Sequence, residues 1–184
     1  MKEIRLAGVV VAVFMLAICV GGATSAGSGG MATFTVTTTQ TDGRFAPRHV
    51  IAIWVSDGSG KLVKTLEVKG AKYGKHLRRW VAKAGTNELH AVTGATLKVH
   101  QTHTVTWDCR DSKGNVVPDG EYRINVEFTE ANGAGPSTPE EHVRFVVGPI
   151  PVEVTPGDLP QFHRMSVKFV PAVQQGAPRP VAEQ

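Results

Sequence analysis

Hydrophobic and polar positions change period several times along the 184-residue chain, and each period predicts an element. Phe34 to Gln40 sets Phe34, Val36 and Thr38 against Thr35, Thr37 and Thr39, which predicts an edge strand with one wet face. Val50 to Val55 is apolar at every position, as in a central strand covered on both faces. Asp57-Gly58-Ser59-Gly60 supplies turn chemistry, so Leu62 to Val68 returns as a hairpin partner. Between Lys75 and Ala84 the period lengthens: Leu77, Trp80, Val81 and Ala84 share one helical face, Arg78, Arg79 and Lys83 lie elsewhere, and Gly85 stops the helix. Alternation returns in Thr102 to Trp107, with His103, Val105 and Trp107 on one side, and in Glu121 to Phe128, with Tyr122, Ile124, Val126 and Phe128 together. Val143 to Val147 and Met165 to Val170 bring the total to about seven strands, which with Gly- and Pro-rich turns predicts an all-β, antiparallel, immunoglobulin-like sandwich with one short amphipathic helix.

The N-terminal segment changes the compartment. Lys2 and Arg5 precede an apolar run from Leu6 to Val20 and the small residues Gly21 to Ala26, the layout of a secretory signal peptide spanning residues 1–26. That run falls short of the roughly 20 residues of a stable membrane anchor, so the expectation is cleavage near Ala26, no transmembrane span afterwards, and a periplasmic or secreted protein. A lipidated start at Cys19 is the other option, although Ile18 stands where a small residue is wanted. Residues 27–32 read as a flexible leader, 33–171 as the folded domain and 172–184, rich in Pro and Gln, as a disordered tail. After cleavage only Cys109 remains, so no internal disulfide can staple the fold.

Charge is uneven. From Lys61 to Lys83 eight basic residues face Glu67 alone, and within that stretch Lys72, Lys75, Arg78 and Arg79 form an anion-binding candidate interleaved with Tyr73 and Trp80. Export makes nucleic acid an unsuitable partner; a phosphate-bearing cofactor, an acidic envelope polymer or an anionic protein suits the location, and a solvated helix face is the plain alternative.

The most specific stretch runs from Trp107-Asp108-Cys109-Arg110-Asp111 through Gly114 and Pro118 to Gly120-Glu121-Tyr122. Asp108 and Asp111 are placed to accept backbone N–H groups, Gly114 and Gly120 to take positive φ, and Trp107 and Tyr122 to pack across the strand pair. A calcium site from Asp108, Asp111 and Asp119 lacks the spacing of a dedicated loop, and capped turns are preferred. The stretch resembles the Trp-Asp-Gly signature of the immunoglobulin-like domain of flagellar hook-capping proteins, with Cys109 in place of the usual Gly. Together with Ala52-Ile53-Trp54-Val55, His76-Leu77-Arg78-Arg79-Trp80 and Ala91-Val92-Thr93-Gly94-Ala95-Thr96, it is similar to the family called domain of unknown function 2271, predicted periplasmic proteins, over roughly Val50 to Pro171. That resemblance implies a location and a fold, and no activity.

Thr93-Gly94-Ala95-Thr96 also resembles the core at which extracytoplasmic redox proteins carry FMN through a phosphoester on the last threonine. The resemblance implies Thr96 as the attachment point, with Thr93, Gly94 and Ala95 as its small-residue setting. His90 and Lys98 depart from the residues usual around that core, and a helix-to-strand turn capped by threonines explains the segment equally simply. His90, His100 and His103 surround the loop, but His100 and His103 would point to opposite faces of a strand, so they read as surface or half-buried residues and no metal site is assigned. There is no nucleophile elbow and no phosphate-binding Gly-rich loop. Two functions follow, neither enzymatic: a non-catalytic module of the cell envelope that binds or positions a partner protein, or an electron carrier with FMN on Thr96. Its partners would then be a membrane redox protein or a flavin transferase.

Overall fold

The computed structural model describes residues 27–85, 92–132 and 141–172. The expected signal segment, nearly all of the expected tail, and His90 lie outside the described residues. Among the described residues there are nine strands: β1 Gly30–Thr38, β2 Val50–Asp57, β3 Leu62–Lys69, β4 Val92–Gly94, β5 Thr102–Trp107, β6 Gly120–Thr129, β7 Glu141–Val147, β8 Val152–Val154 and β9 Phe162–Pro171. A 3₁₀ turn, Ala71–His76, leads into α1 Arg78–Ala84, the one α-helix among the described residues. One sheet has the order β5-β1-β9-β8, the other β4-β3-β2-β6-β7, and every pairing is antiparallel except that of β3 with β4. The chain is thus the expected all-β antiparallel sandwich with one short helix.

Alternation in the sequence becomes the core between the sheets. Phe34 and Val36 of β1, Trp107 of β5, Val167 and Phe169 of β9 meet Ile51, Ile53 and Val55 of β2, Ile124, Val126 and Phe128 of β6, and Phe145 of β7. Trp107 and Tyr122 do pack, with ring centroids 5.2 Å apart, but between the two sheets and not across a strand pair, because β5 and β6 belong to different sheets; the Tyr122 hydroxyl donates to the Pro118 carbonyl. The other side chains of β2, Val50, Ala52 and Trp54, form a second cluster with Val68, Leu77, Trp80 and Ala84, which explains why β2 is apolar throughout: helix α1 lies on the outer face of its sheet. That helix has no capping side chain of its own; the buried carboxylate of Glu127 on β6 accepts the backbone N–H groups of Arg79 and Trp80 instead.

Two further sequence expectations are corrected. β1 is not an edge strand: β5 and β9 flank it, and its wet face is a row of threonines, with Thr37 Oγ1 2.8 Å from Thr102 Oγ1. It also begins at Gly30, inside the segment read as a flexible leader, and ahead of it Ser28 gives its N–H and hydroxyl to the Asp119 carboxylate. The short strands β4 and β8 account for the excess over the expected number.

Candidate functional site

Four connections meet at one end of the sandwich and enclose a groove of about 540 Å³. The β1–β2 connection supplies Phe45, Arg48 and His49, the 3₁₀ turn supplies Tyr73, the β4–β5 connection supplies Thr96 and Lys98, and the end of β6 supplies Thr129, Glu130 and Asn132. Such a volume lies within the roughly 300–1,000 Å³ typical of cofactor sites.

Thr96 reaches the groove because β4 pairs in parallel with the end of β3. Val92, Thr93 and Gly94 lie opposite Glu67, Val68 and Lys69, and the Gly70 N–H donates to the Gly94 carbonyl at 2.7 Å. A Cβ at Gly94 would stand 2.8 Å from Cδ of the Lys69 side chain, a flexible group that can swing aside. Gly70 must be bare for two reasons: φ of +96° is left-handed, and a Cβ would meet Val50 Cγ1 at 2.3 Å. The same Cβ position lies 3.4 Å from Thr96 Oγ1, so the threonine hydroxyl sits beside the bare backbone of Gly70. Thr96 is half-buried, and beyond it Leu97 bridges to His49 through a pair of backbone hydrogen bonds that fix the groove wall. Thr93 belongs to β4, so the four residues of the motif leave a strand rather than join a helix to one.

Arg48 and Lys98 are exposed cations on this wall, and Phe45 and Tyr73 are large rings 43% and 36% exposed. Of the anion-binding candidates, Lys72 lies over the Tyr73 ring, 5.6 Å from its centroid; Lys75, Arg78 and Arg79 are exposed along the 3₁₀ turn and α1, and none of the four lines the groove. Arg48 and Phe45 carry no signal in the sequence, because they sit in an irregular connection with no periodicity to mark them.

Glu130 organises the groove floor. Its Oε2 accepts the Thr41 N–H, the Thr41 hydroxyl and the Gly43 N–H at 2.8–2.9 Å, while Oε1 accepts from His100 Nε2. Burial disfavours the charge, yet these donors hold the carboxyl below its ordinary range. The His100 ring stacks on His49, with centroids 3.9 Å apart and planes within 8°. His49 Nδ1 donates to the Pro47 carbonyl, leaving Nε2 buried and without a partner. Burial pushes the His49 imidazole down to about 4, and burial likewise lowers His100 despite the pull of Glu130. His103 is buried too, 3.7 Å from Glu67, which also pairs with Lys69; the expectation of surface or half-buried histidines is therefore corrected for His103, whose β5 register turns it inward. Among the described residues no three of His, Cys, Asp and Glu converge as metal ligands.

The three aspartates around the Trp107 loop are engaged by protein groups. Asp111 accepts the Lys113 and Asn115 N–H groups and caps its own turn as expected, whereas Asp108 pairs with Lys64 at 2.9 Å and Asp119 holds Ser28, both partners distant in sequence. Cys109 takes the left-handed φ of +53° that favours the glycine usual in the resembled motif, while its side chain joins the core. Burial, with the charges of Asp108 and Asp119, raises the thiol to about 12. Iodoacetamide at mildly alkaline pH is therefore expected to leave Cys109 unlabelled in the folded protein and to label it once urea unfolds the chain; rapid labelling without denaturant would contradict its burial.

The family model described as predicted periplasmic protein (DUF2271) matches residues 32–136, which include every groove residue. The chain belongs to this family and is a periplasmic protein on that description. The match starts earlier and ends earlier than the resemblance read from the sequence, taking in β1 and leaving out β7, β8 and β9. No curated protein and no solved structure matches the chain. Among the described residues no helix is long and apolar enough to cross a membrane.

Proposed function

We propose that this protein is an extracytoplasmic electron-transfer module that carries FMN covalently through Thr96. The observation that carries the reading is the composition of the groove: a threonine hydroxyl set over bare glycine, two cations and two half-exposed aromatic rings share one wall system of cofactor size. Each part has a role in holding such a group. Thr96 Oγ1 is the attachment atom, Arg48 and Lys98 offset the charge of a phosphodiester, and Phe45 and Tyr73 offer flat apolar surface to a ring system. When bound, FMN supplies electron-transfer chemistry that no side chain here provides.

Attachment forms a bond from Thr96 Oγ1 to the flavin phosphate and breaks the diphosphate of a flavin dinucleotide donor. The nucleoside monophosphate departs, and the hydroxyl proton passes to a base of the flavin transferase. Coexpression with a flavin transferase is expected to give a yellow protein whose fluorescent band survives denaturing electrophoresis. Thr96→Ala abolishes the band, whereas Thr93→Ala retains it. An unlabelled wild-type protein beside a labelled control would overturn the reading and leave the module that binds or positions a partner protein.

A further inference from the structure

We propose that the stacked His49–His100 pair with Glu130 is a single-proton store of the groove, filled at His100 Nδ1 when the bound flavin is reduced and emptied when it is oxidised. The inference rests on the flavin reading above. Its basis is the arrangement of the rings. Glu130 Oε1 can only accept, so His100 Nε2 carries its hydrogen and the buried Nδ1 keeps a free lone pair without a partner. Likewise the Pro47 carbonyl fixes the hydrogen of His49 on Nδ1 and leaves Nε2 free. Two parallel imidazoles 3.9 Å apart repel strongly as two cations, so the pair holds one added proton and not two. That proton belongs on His100, because Glu130 is hydrogen-bonded to this ring and not to His49.

The store communicates with the groove because His49 and Glu130 line it beside Thr96. Other charged or titratable groups around the pair are His103, Glu67 and Lys69 on its β3 and β5 side, and Arg48 and Lys98 on the groove wall; Phe128 of β6 presents its ring edgewise to both imidazoles. Burial keeps both imidazoles neutral while the groove holds no additional negative charge, and such charge is what draws a proton in. Reduction by an external electron donor adds two electrons and one proton to the flavin, leaving it one negative charge richer; a second proton from water moves to His100 Nδ1. Oxidation returns both protons and both electrons.

The test is potentiometry on the flavinylated protein with dithionite as reductant. The wild-type midpoint potential is expected to fall by two protons' worth per two electrons between about pH 6 and 8, and His100→Gln, which keeps a donor to Glu130, by about 30 mV per pH unit less, the tenfold proton dependence of a two-electron couple. His49→Phe, which keeps a stacked ring, retains the wild-type slope. Nitrogen-15 imidazole spectra of the wild type provide a readout independent of any variant's folding: the His100 ring is cationic in the reduced and neutral in the oxidised protein at about pH 7. An unchanged slope in His100→Gln, a loss confined to His49→Phe, or a ring of the same charge in both redox states overturns this inference in a protein that is still yellow. A protein that accepts no flavin overturns the flavin reading and this one together.

Discussion

Trp80→Ala is expected to destabilise the protein by about 3–5 kcal/mol, and Arg79→Ala by well under about 1 kcal/mol, in urea titrations run side by side. Both residues lie in the first turn of α1, so the contrast isolates which face is buried. Trp80 is 6% exposed, donates its indole N–H to Thr65 Oγ1 at 3.1 Å and fills the space between Leu77, Val68 and the outer face of β2. Truncation removes that area from the cluster, leaves a cavity over Trp54 and strands the Thr65 hydroxyl. The Arg79 side chain is exposed, and its backbone N–H, which binds Glu127, survives the substitution. Equal losses for the two variants would mean that α1 does not dock through Trp80.

Acid is expected to weaken the fold well above the carboxylate range. His49 is 1% exposed and its imidazole is pushed down to about 4, so the unfolded chain binds a proton at that residue before the native one does. The stabilisation is complete above the ordinary imidazole value near 6.5 and is lost as pH falls from there toward about 4, an order of about 3 kcal/mol over the window. Glu130 acts in the same direction at lower pH: its donors hold the carboxyl below its ordinary range, so its contribution is present above the unfolded carboxylate value and lost below it. Urea midpoints measured from about pH 7 down to 4 check this, with His49→Phe as the control, which removes the titrating group and flattens the upper part of the decline. A wild-type curve flat down to about pH 5 would show that His49 is charged in the native protein.

Most of the sandwich was legible because period-two alternation follows directly from burying one face. Tyr122, Ile124, Val126 and Phe128 are all buried as their spacing required, and the uniform apolarity of Val50 to Val55 correctly placed β2 between two layers. What alternation cannot report is the number of neighbours a strand has. The threonines of β1 look alike whether the strand is an edge or is flanked by β5 and β9, since the outer face is wet in either case. Strands as short as β4 carry too few residues for a period. The candidate site was legible only at Thr96, through a local motif. Arg48, Phe45, His49 and Glu130 come to it from irregular connections distant in sequence, and that convergence depends on where β2 and β6 end in the assembled sheet.

The position of β1 also sets the order in which the molecule can be completed. Its residues pair on one side with Thr102–Trp107 and on the other with Phe162–Pro171, so β1 finds both of its neighbours only after much of the remaining chain has been made. Closing loops of that length before any ladder forms slows folding. Until β9 arrives, the strand that carries Phe34 and Val36 stays unpaired on that side. The topology thereby delays closure of the four-stranded sheet until its last-made long strand, β9, is available.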